Sequence, residues 1–183
     1  AVGGQLRYDV VKVLDERNIE CKGTDLKGFD ITDYEAAHSF ITEYGPDVVI
    51  HCSAYTAVDK AEDEPELCQR VNALGTENIA RICREIDARM LYISTDYVFP
   101  GTGSDFYEVD AATGPQNVYG RTKLEGELAV KKLLEKYFIV RISWVFGING
   151  NNFIKTMLKL GKERSEINVV ADQIGSPTYT ANL

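Results

Sequence analysis

The chain has 183 residues, of which 44% are apolar and 26% charged, as is typical of a globular domain large enough to bury a core. Its net charge of −8 argues against nucleic acid or an anionic membrane surface as the main partner. It has no CxxC spacing, only two histidines, no run of 18 apolar residues and no visible signal peptide. We therefore expect a cytoplasmic protein with reduced, buried thiols at Cys52 and Cys83 and no histidine-based metal site.

Short apolar runs alternate with segments of helical period along the chain. The runs of strand length predict strands at 19–25, 47–52, 89–94 and 137–143. The periodic segments predict helices at 4–17, 33–44, 65–87, 116–136 and 151–163. We expect the second helix to begin at a capping box formed by Thr32 and Glu35, and the third to carry Pro65 in its first turn.

This alternation predicts an α/β fold, a doubly wound, Rossmann-like parallel sheet with helices on both faces. The nearly continuous apolar strands fit burial on both faces of such a sheet. A helix that opens with a glycine-rich turn should follow a strand, so we expect a first strand upstream of Ala1. The longest irregular stretch is 100–117, and long loops in compact domains are often functional.

The segment "AVGGQLR" opens the first helix, and Asp25 ends the predicted second strand. In this arrangement a helix N-terminus can hold a pyrophosphate while the acidic side chain binds a ribose diol. The glycine pattern is incomplete, because Ala1 and Arg7 stand where the first and third glycines would be expected. An ordinary helix cap is the alternative interpretation of this segment.

Two further segments directly follow predicted strands, where ligands bind in open α/β sheets. Ser53 and Ala54 are small residues that would let a ligand approach the backbone after the strand at 47–52. Ser94 and Thr95 end the strand at 89–94, and their hydroxyls could face the same crevice. For both segments the alternative is an ordinary loop or turn between a strand and a helix.

Two Tyr-x-x-x-Lys pairs occur, Tyr8 with Lys12 and Tyr119 with Lys123. The first pair lies on the first helix beyond its N-terminal end, so we expect surface residues. The second opens the helix after the long loop, where positions i and i+4 share one face. An ammonium there would lower the pKa of the tyrosine, which could then give a proton to a carbonyl oxygen. Thr95 could complete the unit by hydrogen-bonding that oxygen.

Six segments together resemble the dTDP-4-dehydrorhamnose reductase family of the extended short-chain dehydrogenase/reductase superfamily: "AYTAVDKAE", "STDYVFPGTG", "NVYGRTKLEGE", "ISWVFG", "NNFIKTML" and "DQIGSPT". The resemblance implies reduction of the 4-keto group of dTDP-4-dehydro-L-rhamnose by NADPH or NADH, giving dTDP-L-rhamnose for cell-surface polysaccharide biosynthesis. It also implies a dinucleotide-binding domain at 1–144 and, at 145–183, the start of a truncated substrate-binding region.

The same resemblance assigns roles to individual residues. Tyr119 would donate the proton, Lys123 would assist it and bind the nicotinamide ribose, and Thr95 would contact the keto oxygen. Asp96 and Trp144 would contact the substrate. The other cofactor contacts would be Gly4, Gln5, Leu6, Asp25, Asp30, Ile31, Ala54, Tyr55 and Thr56.

The sequence leaves several alternatives open. Arg7 could point outward, or could reach a phosphate and favour NADPH, whereas Asp25 would repel a 2′-phosphate and favour NADH. A related epimerase or dehydratase is a second interpretation, although Tyr97 stands where dehydratases carry a glutamate after the aspartate. A non-catalytic regulatory subunit with the same fold is a third. A homodimer is plausible in this family, and some members use a divalent metal such as Mg²⁺ between subunits, which this sequence does not support.

Overall fold

The computed structural model describes residues 4–183, so the predicted glycine-turn position at Ala1 lies outside the described residues. The chain forms two compact units. The larger comprises Thr24–Ile142, and the smaller comprises the described residues up to Gly23 together with Ser143–Leu183. Each unit is built around parallel strands and helices, so the predicted α/β class is confirmed.

The larger unit contains a parallel sheet in the order β1-β2-β3. Its strands are β1 Val48–His51, β2 Arg89–Thr95 and β3 Tyr137–Ile142. Three of the four predicted strands are thereby confirmed. The strand predicted at 19–25 is wrong: these residues form no regular secondary structure. A strand needs a neighbour to accept and donate its backbone hydrogen bonds, and no described segment pairs with this one.

Helices connect these strands, as the βαβ interpretation requires. In the larger unit they are α2 Tyr34–Tyr44, α3 Val58–Asp63, α4 Pro65–Gln69, α5 Gly75–Glu85 and α6 Val118–Leu133. The capping box at Thr32 is wrong, since the N-cap of α2 is Asp33, whose carboxylate accepts a hydrogen bond from Ala36 N. Asn117 caps α6 in the same way through Gly120 N.

The helix predicted at 65–87 begins with Pro65 as expected but is interrupted by a π-helical turn at Arg70–Leu74. Such bulges arise from tertiary packing and are frequent at functional sites. Here the first turn of α5 packs tightly against Ile31, since a Cβ on Gly75 would lie 2.7 Å from the Ile31 side chain. The short helix α3 and a 3₁₀ turn at Asp96–Val98 were not predicted.

The core of the larger unit lies between one face of the sheet and the helices α2, α5 and α6. Met90 and Tyr92 of β2 are fully buried there. The helix residues that pack in this cluster include Ala37, Ile41, Ile79, Ile82 and Val130. Phe138 of β3 alternates to the other face and is 67% exposed.

The smaller unit contains the two remaining predicted helices. Its elements are α1 Gln5–Glu16, β4 Val145–Phe146, α7 Phe153–Glu163, β5 Thr178–Tyr179 and a 3₁₀ turn at Thr180–Asn182. Strands β4 and β5 pair in parallel. Asn152 caps α7 through Lys155 N and also donates to Gln5 Oε1 at 2.9 Å. None of the helices in the described part of the chain is long and apolar enough to cross a bilayer.

Candidate active site

The larger unit brings together the three residues predicted to carry the chemistry. Thr95 ends β2, and Tyr119 and Lys123 lie on the first turns of α6. All three side chains are buried. The Thr95 hydroxyl acts to lower the pKa of the Tyr119 phenol, against the larger effect of burial. The carboxyl end of a parallel strand thus meets the start of a helix at a buried hydroxyl pair.

Lys123 is held away from solvent by the backbone and by an aromatic ring. Its Nζ donates to the carbonyl oxygen of Ile93 at 2.7 Å and lies 4.1 Å from the ring centre of Tyr92. Burial lowers the pKa of this ammonium to about 7, while the charge of Glu127 acts in the opposite direction. A lysine of this kind changes its charge close to neutral pH.

The expected lowering of the tyrosine pKa by the neighbouring ammonium is wrong for this structure. Burial raises the pKa of Tyr119 to about 12, and the hydrogen bond with Thr95 offsets only part of that effect. The lysine does not counteract the shift because its Nζ is directed at the carbonyl of Ile93. Tyr119 therefore keeps its proton at neutral pH, as a proton donor must.

The turn after β2 orients Thr95. Its hydroxyl donates to Asp96 Oδ1 at 3.0 Å and accepts from Tyr97 N at 3.3 Å. Burial raises the pKa of Asp96, although the hydrogen bond from Thr95 lowers it. The ring of Tyr97 meets that of Tyr119 edge-on, with 5.6 Å between centroids.

The start of α6 is fixed by contacts that the sequence analysis missed. Glu62 of α3 accepts a hydrogen bond from Val118 N at 2.6 Å, and Asn117 accepts from Gly120 N at 2.7 Å. Both contacts satisfy N–H groups that a helix start leaves unpaired. A Cβ on Gly120 would lie 2.3 Å from the carbonyl oxygen of Tyr97. The acidic residues that follow Ala57 were the available signal for a helix cap. The helix that Glu62 caps, however, begins 56 residues later in the sequence.

A buried amide, also missed, holds the loop that follows β1. Asn72 in the π-helical turn accepts from Tyr55 N at 2.8 Å and donates to Tyr55 O at 3.2 Å. Its Nδ2 also lies 3.1 Å from the hydroxyl of Thr122 on α6. Ala54 beside this clamp is half-buried and Thr56 is exposed. The predicted cofactor loop is thus fixed through its backbone to the helix that carries Tyr119.

The predicted adenosine residues of this unit lie in turns. The carboxylates of Asp25 and Asp30 accept hydrogen bonds from Lys27 N at 2.7 Å and Thr32 N at 2.8 Å. Asp30 is exposed, whereas Asp25 is half-buried. Ile31 is buried, and its carbonyl accepts from Asn78 Nδ2 at 3.0 Å.

In the smaller unit, α1 begins at Gly4 with no side-chain cap and no acidic residue in its first turn. Leu6 of this turn is buried, whereas Tyr8 is 51% exposed, as expected of a surface residue. Arg7 packs beside Gly23, because a Cβ added at Gly23 would lie 3.0 Å from Arg7 Nη2. Its Nε is buried and has no hydrogen-bond partner among the described residues.

Trp144, the predicted substrate contact in the smaller unit, has a strained backbone. Its φ of 46° lies in the left-handed region, which bulky residues rarely adopt. Its indole packs on Gly175, where a Cβ would lie 2.7 Å from Cε2. The other side of the ring system remains open, because the residue is 48% exposed.

The family described as the RmlD substrate binding domain matches residues 2–183. The chain belongs to this family. The resemblance seen in the six sequence segments is thereby confirmed.

Two relatives are similar to the chain over most of its length. The dTDP-4-dehydrorhamnose reductase of Mycolicibacterium smegmatis is 52% identical over 156 residues, which are 84% of this chain and 47% of that protein. The enzyme of the same name from Escherichia coli K12 is 43% identical, over 97% of this chain and 59% of that protein. The chain spans about half to three fifths of the length of these two relatives.

Solved structures agree with this assignment. A dTDP-4-dehydrorhamnose reductase from Bacillus anthracis, in complex with NADP, superposes with a TM-score of 0.95 at 47% identity and covers 98% of this chain and 64% of its own. The orthologue from Clostridium acetobutylicum gives the same TM-score at 45% identity and the same coverage. UDP-glucose 4-epimerase of Thermus thermophilus, at 20% identity and a TM-score of 0.78, shows the shared fold alone.

No cluster of three or more potential metal-ligating side chains of His, Cys, Asp or Glu occurs within residues 4–183.

Proposed function

We propose that the protein to which this chain belongs reduces the 4-keto group of dTDP-4-dehydro-L-rhamnose to dTDP-L-rhamnose with NADPH or NADH. The observation that carries the proposal is the buried unit of Thr95, Tyr119 and Lys123 at the carboxyl end of β2. Relatives of 43–52% identity bear the name dTDP-4-dehydrorhamnose reductase, which supports the same substrate.

The residues of the chain supply the acid chemistry. When bound, the nicotinamide cofactor provides the hydride that reaches the carbonyl carbon. Tyr119 holds its proton because burial raises its pKa to about 12, and it transfers that proton to the carbonyl oxygen. Thr95 donates its hydroxyl hydrogen to the same oxygen and orients the carbonyl. The phenolate that remains on Tyr119 is stabilised by the Thr95 hydroxyl until solvent returns the proton.

The residues present fit a dinucleotide. The first turn of α1 carries neither a side-chain cap nor an acidic residue, so its N–H groups are available to a pyrophosphate at Gly4, Gln5 and Leu6. Asp25 and Asp30 lie at turns, half-buried and exposed respectively, where a carboxylate can reach ribose hydroxyls. The loop of Ala54, Tyr55 and Thr56 would lie along the ribose, and Lys123 would bind the nicotinamide ribose. The solved relative with NADP supports this assignment.

The substrate side of the proposal rests on Asp96 and Trp144. Asp96 adjoins Thr95 and is partly protected from solvent, so it can accept a sugar hydroxyl. The exposed part of the Trp144 ring offers a stacking surface for the sugar or the base. We assign residues 1–144 to dinucleotide binding and 145–183 to the start of the substrate-binding region. A cytoplasmic location and a homodimer complete the proposal.

The test uses the full-length protein with freshly prepared dTDP-4-dehydro-L-rhamnose and either NADPH or NADH. Consumption of one reduced cofactor per sugar, with dTDP-L-rhamnose as product, is the expected result, and the two rates decide the cofactor. A sugar product that forms without net cofactor consumption would instead indicate an epimerase or dehydratase. Binding of cofactor without any conversion would indicate the regulatory subunit.

A further inference from the structure

A buried ion pair lies one helical turn beyond Lys123 and has no part in the chemistry above. Glu127 on α6 is fully buried. Arg141 of β3 donates to it twice, from Nε to Oε1 at 2.9 Å and from Nη2 to Oε2 at 2.7 Å. Ser94 of β2 donates to Oε1 at 2.6 Å. Burying an ion pair is costly unless its remaining hydrogen-bonding groups are satisfied, and here three hydrogen bonds satisfy the carboxylate.

The cluster fixes α6 along the last residues of β2. Lys123 reaches the carbonyl of Ile93, and Glu127 reaches the hydroxyl of Ser94, the next residue of the strand. The residue after Ser94 is Thr95. Two successive turns of the helix are therefore attached to the two residues that directly precede the reacting hydroxyl. The separation of Thr95 from Tyr119 on the preceding turn depends on this register.

The same arginine contacts the long loop at 100–117. Arg141 Nη1 lies 3.4 Å from the carbonyl oxygen of Val109, and its guanidinium carbon lies 4.8 Å from the ring centre of Phe99. Phe99 in turn stacks on Tyr107 with 4.4 Å between centroids. One buried cluster thus contacts the helix, the strand and the loop around the candidate active site.

Charge provides a second link between Glu127 and Lys123. Burial disfavours the ammonium of Lys123, and the carboxylate of Glu127 is the strongest of the interactions that favour it. Burial acts to raise the pKa of Glu127, but the hydrogen bonds of Arg141 and Ser94 lower it, so the carboxylate stays charged. Among the described residues, the other titratable groups that interact with these two residues are His51, Cys52, Cys68, Tyr92 and Lys131. His51 is neutral, because burial lowers its pKa to about 3.

We propose that Glu127 is a positioning residue for this site, an inference that rests on the proposed function. Its carboxylate, held by Arg141 and Ser94, fixes α6 against the end of β2, and its negative charge favours the ammonium form of Lys123 against the effect of burial. It acts through Lys123 and Tyr119 without touching the substrate.

The test compares Glu127→Gln with Glu125→Gln in the full-length protein. Glu125 lies on the same helix, is exposed, and accepts a long hydrogen bond of 3.4 Å from Gln69 Nε2. Glu127→Gln should lower kcat by about ten- to a hundredfold with KM nearly unchanged, because the reacting groups are misplaced while the binding surfaces remain. The alkaline limb of its pH profile should move to lower pH. Glu125→Gln should match the wild type.

A direct titration of Lys123 separates this inference from the proposed function. The Lys123 ammonium is followed by NMR of protein labelled at lysine Nζ, with Lys123→Met to assign its signal. Glu127→Gln should move the Lys123 midpoint to lower pH, even if the wild type shows no turnover. If Glu127→Gln fails to fold, the double variant Glu127→Gln/Arg141→Gln removes both charges of the ion pair. It should fold and show the same shifted midpoint of the Lys123 titration. Wild-type kcat and an unshifted midpoint in the folded variant would overturn the proposal.

Discussion

Gly120 lies against the backbone of Tyr97 so closely that a Cβ at this position would be 2.3 Å from the Tyr97 carbonyl oxygen and 3.0 Å from its carbonyl carbon. The contact joins the first turn of α6 to the turn that follows β2. Tyr119 directly precedes Gly120, and Thr95 directly precedes the turn that Tyr97 belongs to. We therefore expect this contact to set how close the two hydroxyls come.

Gly120→Ala should therefore separate the reacting hydroxyls. A backbone carbonyl cannot move aside cheaply, so we expect a loss of about 1–3 kcal/mol in the free energy of unfolding and a fall in kcat of about tenfold or more. Urea denaturation and steady-state kinetics measure the two effects. Gly161→Ala on the exposed face of α7 is the matched control, where the Cβ would meet only Ile167 at 4.0 Å. It should be neutral or slightly stabilising, and equal behaviour of the two variants would refute the close-contact argument.

Asn72→Ala should release the loop at Tyr55. The substitution leaves the partly buried N–H and C=O of Tyr55 without their partner, which costs about 1–3 kcal/mol of stability. We also expect weaker cofactor binding with little change in kcat at saturating cofactor, measured by fluorescence titration and kinetics. Gln69→Ala, an exposed change one helical turn earlier, should alter neither. Unchanged cofactor affinity in a folded Asn72→Ala would place the 54–56 loop outside the cofactor site.

Lys123 should give the protein a stability that increases with pH. Its pKa falls from 10.5 to about 7 on burial, so the unfolded chain binds this proton over a pH range in which the folded chain has released it. Between about pH 7 and about pH 10 the unfolded state holds more protons, and the contribution to the free energy of unfolding rises by at most about 1.4 kcal/mol per pH unit. Urea titrations of wild type and Lys123→Met at about pH 7 and about pH 9 should therefore diverge in favour of the wild type. A constant difference would contradict the lowered pKa.

Gly175→Ala should displace the ring of Trp144. The added Cβ would lie 2.7 Å from Cε2 and 2.9 Å from Cζ2, so the indole must shift. If the indole stacks on the substrate, the KM for the nucleotide sugar should rise about tenfold while the Kd for NADPH stays constant. The tryptophan fluorescence change on adding dTDP should be lost in a Trp144→Phe variant, which tests the same contact. Equal KM values for Gly175→Ala and Gly161→Ala would contradict the stacking role.

The sequence predicted the parts of the fold that depend on local pattern. Apolar runs such as "DVVIHC" and the helical period around Tyr119 gave strands and helices within a few residues of their observed bounds. The prediction of a strand at 19–25 failed because a strand forms only when a neighbouring strand shares its backbone hydrogen bonds. Composition does not show whether such a neighbour is present. The π-helical turn at Asn72 was not predicted for a similar reason, since it depends on packing of the following turn against Ile31.

The sequence predicted which residues lie close together at the candidate site, but not the direction of the tyrosine pKa shift. The spacing of Tyr119 and Lys123 on one helix, and the position of Thr95 at a strand end, followed from pattern alone. The direction of the tyrosine pKa shift did not, because it depends on burial and on the carbonyl of Ile93, which competes for the ammonium. Glu62, Asn72 and Glu127 were missed because each acts across a long sequence separation.

The most direct test of the account compares two tyrosines that share the same spacing to a lysine. Tyr119→Phe removes the proton donor and should lower kcat by at least about a hundredfold, with cofactor affinity close to that of the wild type. Tyr8→Phe makes the same change at the exposed tyrosine four residues before Lys12 and should leave kcat unchanged. A Tyr119→Phe protein that folds, binds cofactor and reduces dTDP-4-dehydro-L-rhamnose at the rate of Tyr8→Phe would contradict the central claim.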